Sequence, residues 1–253
     1  ASAEKAYDSY EAYKVVFHDT MSKGITFESI ASVTVGSTIL SESDYTVSSI
    51  TSNADGTQDW TLTISNVKAH VTNLDAGTNI EVIYNAHLNQ NATVNTASGS
   101  TDNKNKVYLE FSNNPNVSGG TGKTPEEDVY VFTYQLNNMK HKDTEDGDAL
   151  EGAGFRLYTD AECTKELKLQ KNTDGTYSRY FGEDAGAEMF SDAEGKFNVK
   201  GLDAGTYYLK ETTTPTGFNT CSVTTIIISA THTRNSVDLT GSNTTNDIVN
   251  KQG

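Results

Sequence analysis

Apolar and polar residues alternate with a period of two through most of the chain. In the first half the alternation is clear at Trp60, Leu62 and Ile64, and in the second half it runs through 130–136 and returns in short segments up to residue 248. A period of two places successive side chains on opposite faces of a β-strand. Turn residues such as Asp-Gly pairs separate the segments, so the pattern predicts an all-β protein built from β-sandwiches.

A stretch near the middle of the chain breaks this pattern. Residues 112–128 contain two prolines, several glycines and serines, and no apolar periodicity. Such a composition is typical of a connecting segment, so we predict a linker at 118–128. It separates a first domain at 1–117 from a second domain at 129–253, two tandem sandwiches of ordinary size.

The charge of the chain narrows the classes of partner. The sequence has 19 basic and 34 acidic residues, which gives a net charge of −15. Nucleic acids and anionic membranes attract Lys and Arg, so neither is an expected partner. We also predict no membrane span, because no run of apolar residues approaches the length that a spanning helix needs.

The sequence offers no enzyme active site, cofactor site or metal site. The five histidines lie singly, without the spacing of metal ligands. Residues 119–124 end like a phosphate-binding loop, but Val117 stands where that motif needs glycine and Pro125 follows at once. We therefore predict a protein that is not an enzyme and that binds neither metal nor cofactor.

Two interpretations are open for Cys163 and Cys221, the only cysteines. They could form a disulfide, as in many small proteins outside the cytoplasm. Alternatively, they are unrelated small core residues, because the sequence does not show whether they face each other.

The second half carries a specific string of motifs. It includes Leu150–Tyr158, Gly195–Glu211 and the segment Tyr207-x-Leu-x-Glu-Thr-x-x-Pro-x-Gly-Phe218. This string resembles the CnaB-type immunoglobulin-like domain of Gram-positive surface proteins, and the last segment resembles the "E-box" of sortase-assembled pilins. In the first half, 17–27 and 105–115 are similar to the CnaA-like domain that precedes it in pilus shaft subunits. The resemblance covers nearly the whole chain.

The resemblance implies a structural role outside the cell. A backbone pilin is a cell-wall-anchored shaft subunit, and its expected partners are other pilin subunits joined head-to-tail, a sortase during assembly, and host surface molecules. An adhesin, a tip or basal pilin, or a stalk domain is the alternative. The flanking sequence would separate the two, because a backbone subunit carries a pilin-motif lysine upstream and an LPxTG-like signal downstream. A true enzyme such as a glycosidase is disfavoured, because no pair of catalytic carboxylates stands out.

Domains of this family carry a Lys–Asn isopeptide bond promoted by a buried acid, and the second domain has residues that suit it. Lys140 is in phase with the inward residues of 130–136, Glu211 with Tyr207 and Leu209, and Asn250 with Ile248. The resemblance and this phasing predict a Lys140–Asn250 bond. Glu211 is its predicted catalytic residue, which as a protonated acid would hydrogen-bond the Asn250 carbonyl oxygen.

Lys142 has the same parity as Lys140 and is the alternative nucleophile for that bond. Residues 142–147 have the composition of a turn, so Lys140 is preferred.

In the first domain the resemblance implies that Asp19 is the catalytic residue. Asn105 is the predicted acceptor because it is in phase with 107–111, and Asn113 has the same parity but lies near the linker. The family's lysine normally lies on the preceding strand, whereas Lys14 has the wrong parity and Lys5 lies in a polar opening segment. We therefore expect that the chain begins after that strand, that it forms no first-domain bond by itself, and that another segment covers the exposed sheet edge.

Overall fold

The computed structural model describes residues 7–95, 103–117, 119–233 and 236–253. Regular structure in these residues is almost entirely β-strand, with short 3₁₀ helices at Glu42–Asp44 and Val67–Ala69. No helix in the described residues is long and apolar enough to cross a membrane. The prediction of an all-β protein is confirmed.

The described residues divide into two compact units. The first takes 7–88 together with the described part of 103–131, and the second takes 89–95 together with the described part of 132–253. The division therefore falls after Val131. The sequence predicts a linker that ends slightly earlier, at residue 128. Residues 89–95 group with the second unit, where the N–H of Asn95 donates to the carbonyl of Thr133 at 2.7 Å.

The first unit is built from two sheets. Its strands are β1 (Val15–Met21), β2 (Ile25–Val35), β3 (Thr38–Ile39), β4 (Thr46–Val47), β5 (Thr51–Ser52), β6 (Gln58–Ile64), β7 (Ile80–Leu88), β8 (Lys104–Ser112), β9 (Thr121–Lys123) and β10 (Glu127–Tyr130). The larger sheet has the order β10-β8-β1-β6-β4, with β5 paired to β6 and β9 paired to β8. The smaller sheet has the order β3-β2-β7.

The core of the first unit lies between these sheets. Trp60, Leu62 and Ile64 of β6 are buried while their neighbours are partly exposed, as the alternation predicts. Phe27 of β2 packs on the Trp60 ring with 4.7 Å between ring centroids. Removal of this apolar surface from water stabilises the pair of sheets.

The segment predicted as a linker contains strand residues. Strand β9 and the first residues of β10 fall within 118–128, and both pair with β8, with Lys123 opposite Glu110 and Glu127 opposite Val107. Ser118 lies outside the described residues. The backbone ladder holds these strands to the sheet, and a partly exposed edge strand does not need the apolar period that marks a buried one. This is why their composition resembled a linker.

The second unit also contains two principal sheets. Its strands are β11 (Tyr134–Lys142), β12 (Gly154–Tyr158), β13 (Leu169–Lys171), β14 (Tyr177–Arg179), β15 (Met189–Phe190), β16 (Val199–Leu202), β17 (Gly205–Thr213), β18 (Thr224–Ile228), β19 (Thr231–Thr233), β20 (Ser236–Asp238) and β21 (Thr245–Asn250). The sheets have the orders β13-β14-β16-β11-β21 and β15-β12-β17-β18, and β19 pairs separately with β20.

Strands β11 and β21 run parallel at one side of the five-stranded sheet. Their register places Lys140 beside Ile248 and Asn138 beside Asn246. The Asn246 amide donates to the Asn138 side-chain oxygen at 3.0 Å, and this buried pair satisfies polar groups that would otherwise be costly to bury. The pairing brings together segments that are about as far apart in sequence as the second unit allows.

A tight turn at Gly195 packs against β11 at Lys140. The N–H of Lys140 donates to the carbonyl of Gly195 at 2.8 Å. Gly195 has a φ of +80°, and a Cβ there would lie 2.5 Å from the carbonyl oxygen of Lys140. Only glycine combines this backbone conformation with so close an approach. The turn therefore helps to set the position of Lys140.

Candidate functional site

Three polar side chains meet in the interior of the second unit. Lys140 and Asn250 are fully buried, and Glu211 is 4% exposed. The Nζ of Lys140 donates to the Oδ1 of Asn250 at 2.6 Å, and the Nδ2 of Asn250 donates to the Oε1 of Glu211 at 2.6 Å. The structure thus joins the three residues that the sequence predicts in one hydrogen-bonded chain.

The two sheets supply these side chains from opposite sides. Lys140 and Asn250 come from the neighbouring strands β11 and β21, and Glu211 comes from β17 of the four-stranded sheet. Along β17, Tyr207, Leu209 and Glu211 are buried while their immediate neighbours are less so. A period of two therefore turns Glu211 towards the core with the two apolar residues before it.

The register also distinguishes Lys140 from Lys142. Lys142 is the backbone partner of Asn250, but its side chain is only partly buried. The Asn250 side chain accepts its hydrogen bond from Lys140, one inward position earlier on β11. The geometry therefore favours Lys140 as the amine at the site.

Burial governs the charge of the amine. It lowers the pKa of Lys140, and the neighbouring Cys221 thiol and Glu211 carboxyl act in the opposite direction. The Nζ also lies 5.3 Å from the centre of the Phe155 ring, which stacks on Phe197 and forms an apolar floor below the amine. A lowered pKa makes the neutral, nucleophilic form of Lys140 easier to reach.

The orientation of the Asn250 carboxamide differs from the expectation. Glu211 accepts a hydrogen bond from the amide nitrogen, whereas the sequence predicts a contact with the carbonyl oxygen. In this arrangement Lys140 faces the carbonyl and Glu211 faces the nitrogen that leaves when the amide is exchanged. Glu211 is accordingly placed to pass a proton to that nitrogen.

A second buried polar group lies in the first unit. Asp19 of β1 is 4% exposed, and its Oδ2 accepts a hydrogen bond from the Nδ2 of Asn105 of β8 at 2.8 Å. Asn113, the other candidate acceptor, is exposed. The structure therefore brings Asp19 together with Asn105.

Tyr84 is a third member of this group that sequence reasoning missed. Its hydroxyl accepts from Asn105 Nδ2 at 2.8 Å and donates to Asp19 Oδ2 at 3.3 Å. Tyr84 shares the inward parity of Ile80 and Val82, and a hydroxyl on a core face needs a partner. The need of this hydroxyl for a hydrogen-bond partner is the feature of the sequence from which the contact could have been predicted.

The first-unit group is electrostatically unusual. Burial raises the pKa of Asp19, and hydrogen bonds from Asn105 and Tyr84 lower it in part. Oδ1 of Asp19 and Oδ1 of Asn105 are buried without a hydrogen-bond partner in the described residues. Lys14 is exposed, and Lys5 lies outside the described residues.

The cysteines are both free thiols, so the structure does not contain the disulfide that the sequence left open. Cys163 lies in the turn after β12, and Cys221 lies in the segment between β17 and β18. Within the described ranges no group of three or more His, Cys, Asp or Glu residues is arranged to hold a metal ion.

Comparison with protein families identifies both parts of the chain. Residues 4–115 match the family described as Gram-positive pilin backbone subunit 2, Cna-B-like domain, and residues 137–245 match SpaA, a prealbumin-like fold domain. The chain thus combines a domain of the Gram-positive pilin backbone family with a prealbumin-like fold domain. The model that matches residues 4–115 is described as Cna-B-like, whereas the resemblance predicts a CnaA-like domain in the first half.

Solved structures show the same fold. The chain is 19% identical to a 35 kDa C-terminal fragment of the major pilin GBS80 of Streptococcus agalactiae, with a TM-score of 0.63, and the match covers 97% of this chain and 88% of that one. The chain is 22% identical to the pilus 2b backbone protein of group B streptococcus, with a TM-score of 0.56, and the match covers 97% of this chain and 88% of that one. It is 21% identical to the full-length major pilin SpaD of Corynebacterium diphtheriae, with a TM-score of 0.58, and the match covers 96% of this chain and 61% of that one. A search of curated proteins gave no match.

Proposed function

We propose that this protein is a structural shaft subunit of a covalently polymerised cell-surface pilus, and that its second domain forms an intramolecular isopeptide bond between Lys140 and Asn250. One observation carries the second part. The Lys140 amine lies 2.6 Å from the Asn250 side-chain oxygen, and Glu211 lies 2.6 Å from the Asn250 amide nitrogen in a buried site.

The reaction needs only these three side chains. The neutral Lys140 amine attacks Cγ of Asn250 and forms a new C–N bond. Glu211 carries a proton from the attacking nitrogen to Nδ2, and the bond between Cγ and Nδ2 breaks. One ammonia leaves for each bond formed. The carboxyl returns to its starting state, so a single turnover modifies the protein itself.

The bond would stabilise the domain by closing a long loop. The two residues are 110 positions apart. By analogy with disulfides, a cross-link across such a loop contributes about 4–5 kcal/mol to the free energy of unfolding. Because it would join β11 to β21, a pulling force on the domain would load a covalent bond instead of separating hydrogen-bonded strands.

Asp19 and Asn105 support a corresponding site in the first domain, with Asp19 as the acid and Asn105 as the acceptor. The described residues bring no lysine to this site. We therefore expect one bond in this chain, and a second bond requires an amine that the described residues do not contribute.

Intact mass measured under reducing conditions tests the proposal. One bond predicts a mass deficit of one ammonia relative to the sequence, and Glu211→Ala should abolish the deficit. Glu162→Ala is the matched control, since the Glu162 side chain is exposed in the turn after β12. An unmodified mass for the unsubstituted protein would refute the isopeptide bond.

The pilus role has a separate test. Other subunits, a sortase and host surface molecules are the proposed partners, and the proposed location is the cell wall. Expression of the protein with its sortase in a Gram-positive host should yield a high-mass ladder that survives boiling in detergent. Monomer alone in the cell-wall fraction would contradict the shaft role.

A further inference from the structure

We propose that Cys221 is a positioning residue of the Lys140–Asn250 site, because its backbone N–H holds the carboxyl of Glu211 in the orientation that the reaction uses. This inference rests on the isopeptide bond proposed above. It concerns a residue that the sequence offered only as a disulfide partner or a small core residue.

The two oxygens of Glu211 have different partners. Oε2 accepts a hydrogen bond from the N–H of Cys221 at 2.7 Å, and Oε1 accepts from Nδ2 of Asn250 at 2.6 Å. A carboxyl held at both oxygens cannot rotate about its terminal bond without breaking one of these contacts. The N–H of Cys221 therefore selects which oxygen faces the amide.

The same contact helps to keep Glu211 inside the domain. Glu211 is 4% exposed, and an unpaired buried carboxylate is costly. The hydrogen bond from the backbone N–H of Cys221 offsets part of this cost. Cys221 thus holds Glu211 inside the domain with its carboxyl directed at the Asn250 amide.

The chain between Glu211 and Cys221 forms a turn that positions the N–H of Cys221. The N–H of Phe218 donates to the carbonyl of Pro215 at 3.2 Å, and Gly217 between them has a φ of +86°. The N–H of Asn219 then donates to the carbonyl of Lys251 at 2.9 Å. The turn is therefore anchored to the residue directly after the acceptor Asn250, and this anchoring fixes Cys221 relative to the site.

The Cys221 side chain is separable from this role. The thiol lies beside the Lys140 amine and the Glu211 carboxyl, and burial raises the pKa of the thiol, which keeps it neutral. Cys221→Ala removes the thiol and retains the N–H, so it is the reference against which the backbone contact alone is tested.

A backbone substitution tests the N–H directly. Cell-free translation can supply the full chain as Cys221→Ala, and the same variant with the N–H of residue 221 replaced by an ester oxygen. Intact mass then follows ammonia loss from the time of synthesis over a range of pH. We expect the ester form to react more slowly by about tenfold or more, as when one donor is removed from a preorganised site. Its pH profile should also differ from that of the amide form, whereas a merely structural role would lower the rate equally at every pH.

The outcomes separate this inference from the proposed function. Equal rates and equal pH profiles for the ester and amide forms would overturn the role of Cys221. Absence of ammonia loss in the unsubstituted protein would overturn the isopeptide bond and this role with it. If the ester form does not fold by circular dichroism, amide hydrogen exchange of Cys221 decides the question. The amide should exchange faster in Glu211→Ala than in Lys140→Ala, and equal rates would contradict the contact.

Discussion

The Nζ of Lys140 lies 2.6 Å from the side-chain oxygen of Asn250, across two neighbouring parallel strands of the second domain. The separation is 110 positions in sequence, yet both side chains are fully buried in one site. This contact predicts how substitutions change the formation of the isopeptide bond and the stability of the domain.

Replacement of the amine should remove the bond. Lys140→Ala is expected to show no ammonia deficit and to lose about 4–5 kcal/mol of stability from the open loop, in addition to the cost of leaving the buried Asn250 side-chain oxygen without its donor. Mass spectrometry and chemical unfolding measure the two effects. Lys142→Ala is the matched control on the same strand and should retain the deficit. If Lys142→Ala instead lost it, the alternative lysine would be correct.

Replacement of Gly195 should weaken the support of Lys140. Gly195→Ala strains a left-handed backbone and places a Cβ 2.5 Å from the Lys140 carbonyl. Gly175→Ala is the control, because Gly175 has a φ of +83° but no atom within 4 Å of an added Cβ. The control should cost about 1–2 kcal/mol, the usual penalty of this conformation. Thermal unfolding should show a larger loss for Gly195→Ala, and equal losses would show that the contact is unimportant.

His141 should make the second domain more stable at lower pH. Its Nδ1 lies 2.9 Å from the carbonyl oxygen of Gly147 and its Nε2 lies 2.9 Å from a carboxylate oxygen of Asp247, so each ring nitrogen faces an acceptor and the protonated ring is favoured. Partial burial opposes this charge, but the hydrogen bonds to Gly147 and Asp247 outweigh it and raise the pKa. The stabilisation is fully present below the unfolded pKa of about 6.5 and is lost as pH rises through the higher folded value.

The thermal midpoint of the Lys140→Ala variant, measured across this pH range, tests the role of His141. A further His141→Gln substitution should flatten the pH dependence, whereas His70→Gln, in the first domain, should leave that of the second domain unchanged. An unchanged slope after His141→Gln would contradict the assignment.

Asp19 should lower the stability of the first domain as pH rises towards neutral. Burial raises its pKa, with partial opposition from hydrogen bonds, so the folded first domain binds a proton more tightly than the unfolded chain does. Stability contributed by this group is present below its unfolded pKa of about 3.9 and is lost as pH rises through the folded value. Asp19→Asn keeps an acceptor for Asn105 and should raise the unfolding midpoint of the first domain at neutral pH. Asp59→Asn is the control on the adjacent strand β6, and a loss of stability in Asp19→Asn alone would contradict the prediction.

The sequence by itself determined the class of the fold and the inward direction of the key side chains. The period of two placed Lys140, Glu211 and Asn250 on core faces, because strand geometry alternates side chains whatever the strand pairs with. The same local logic placed Asn105, and the family resemblance pointed to Asp19. It failed at 118–128, because an edge strand held by backbone hydrogen bonds carries no apolar period.

Tertiary structure decided what those side chains meet. Parity could not separate Lys140 from Lys142, since both have the same phase, and only the parallel register of β11 and β21 places Lys140 against the Asn250 amide. Tyr84 and Cys221 joined their sites through contacts between distant segments, and the contact from Cys221 is a backbone N–H that leaves no mark on residue type. A sequence period specifies the face of a strand, whereas the neighbours across that face follow from sheet order and register.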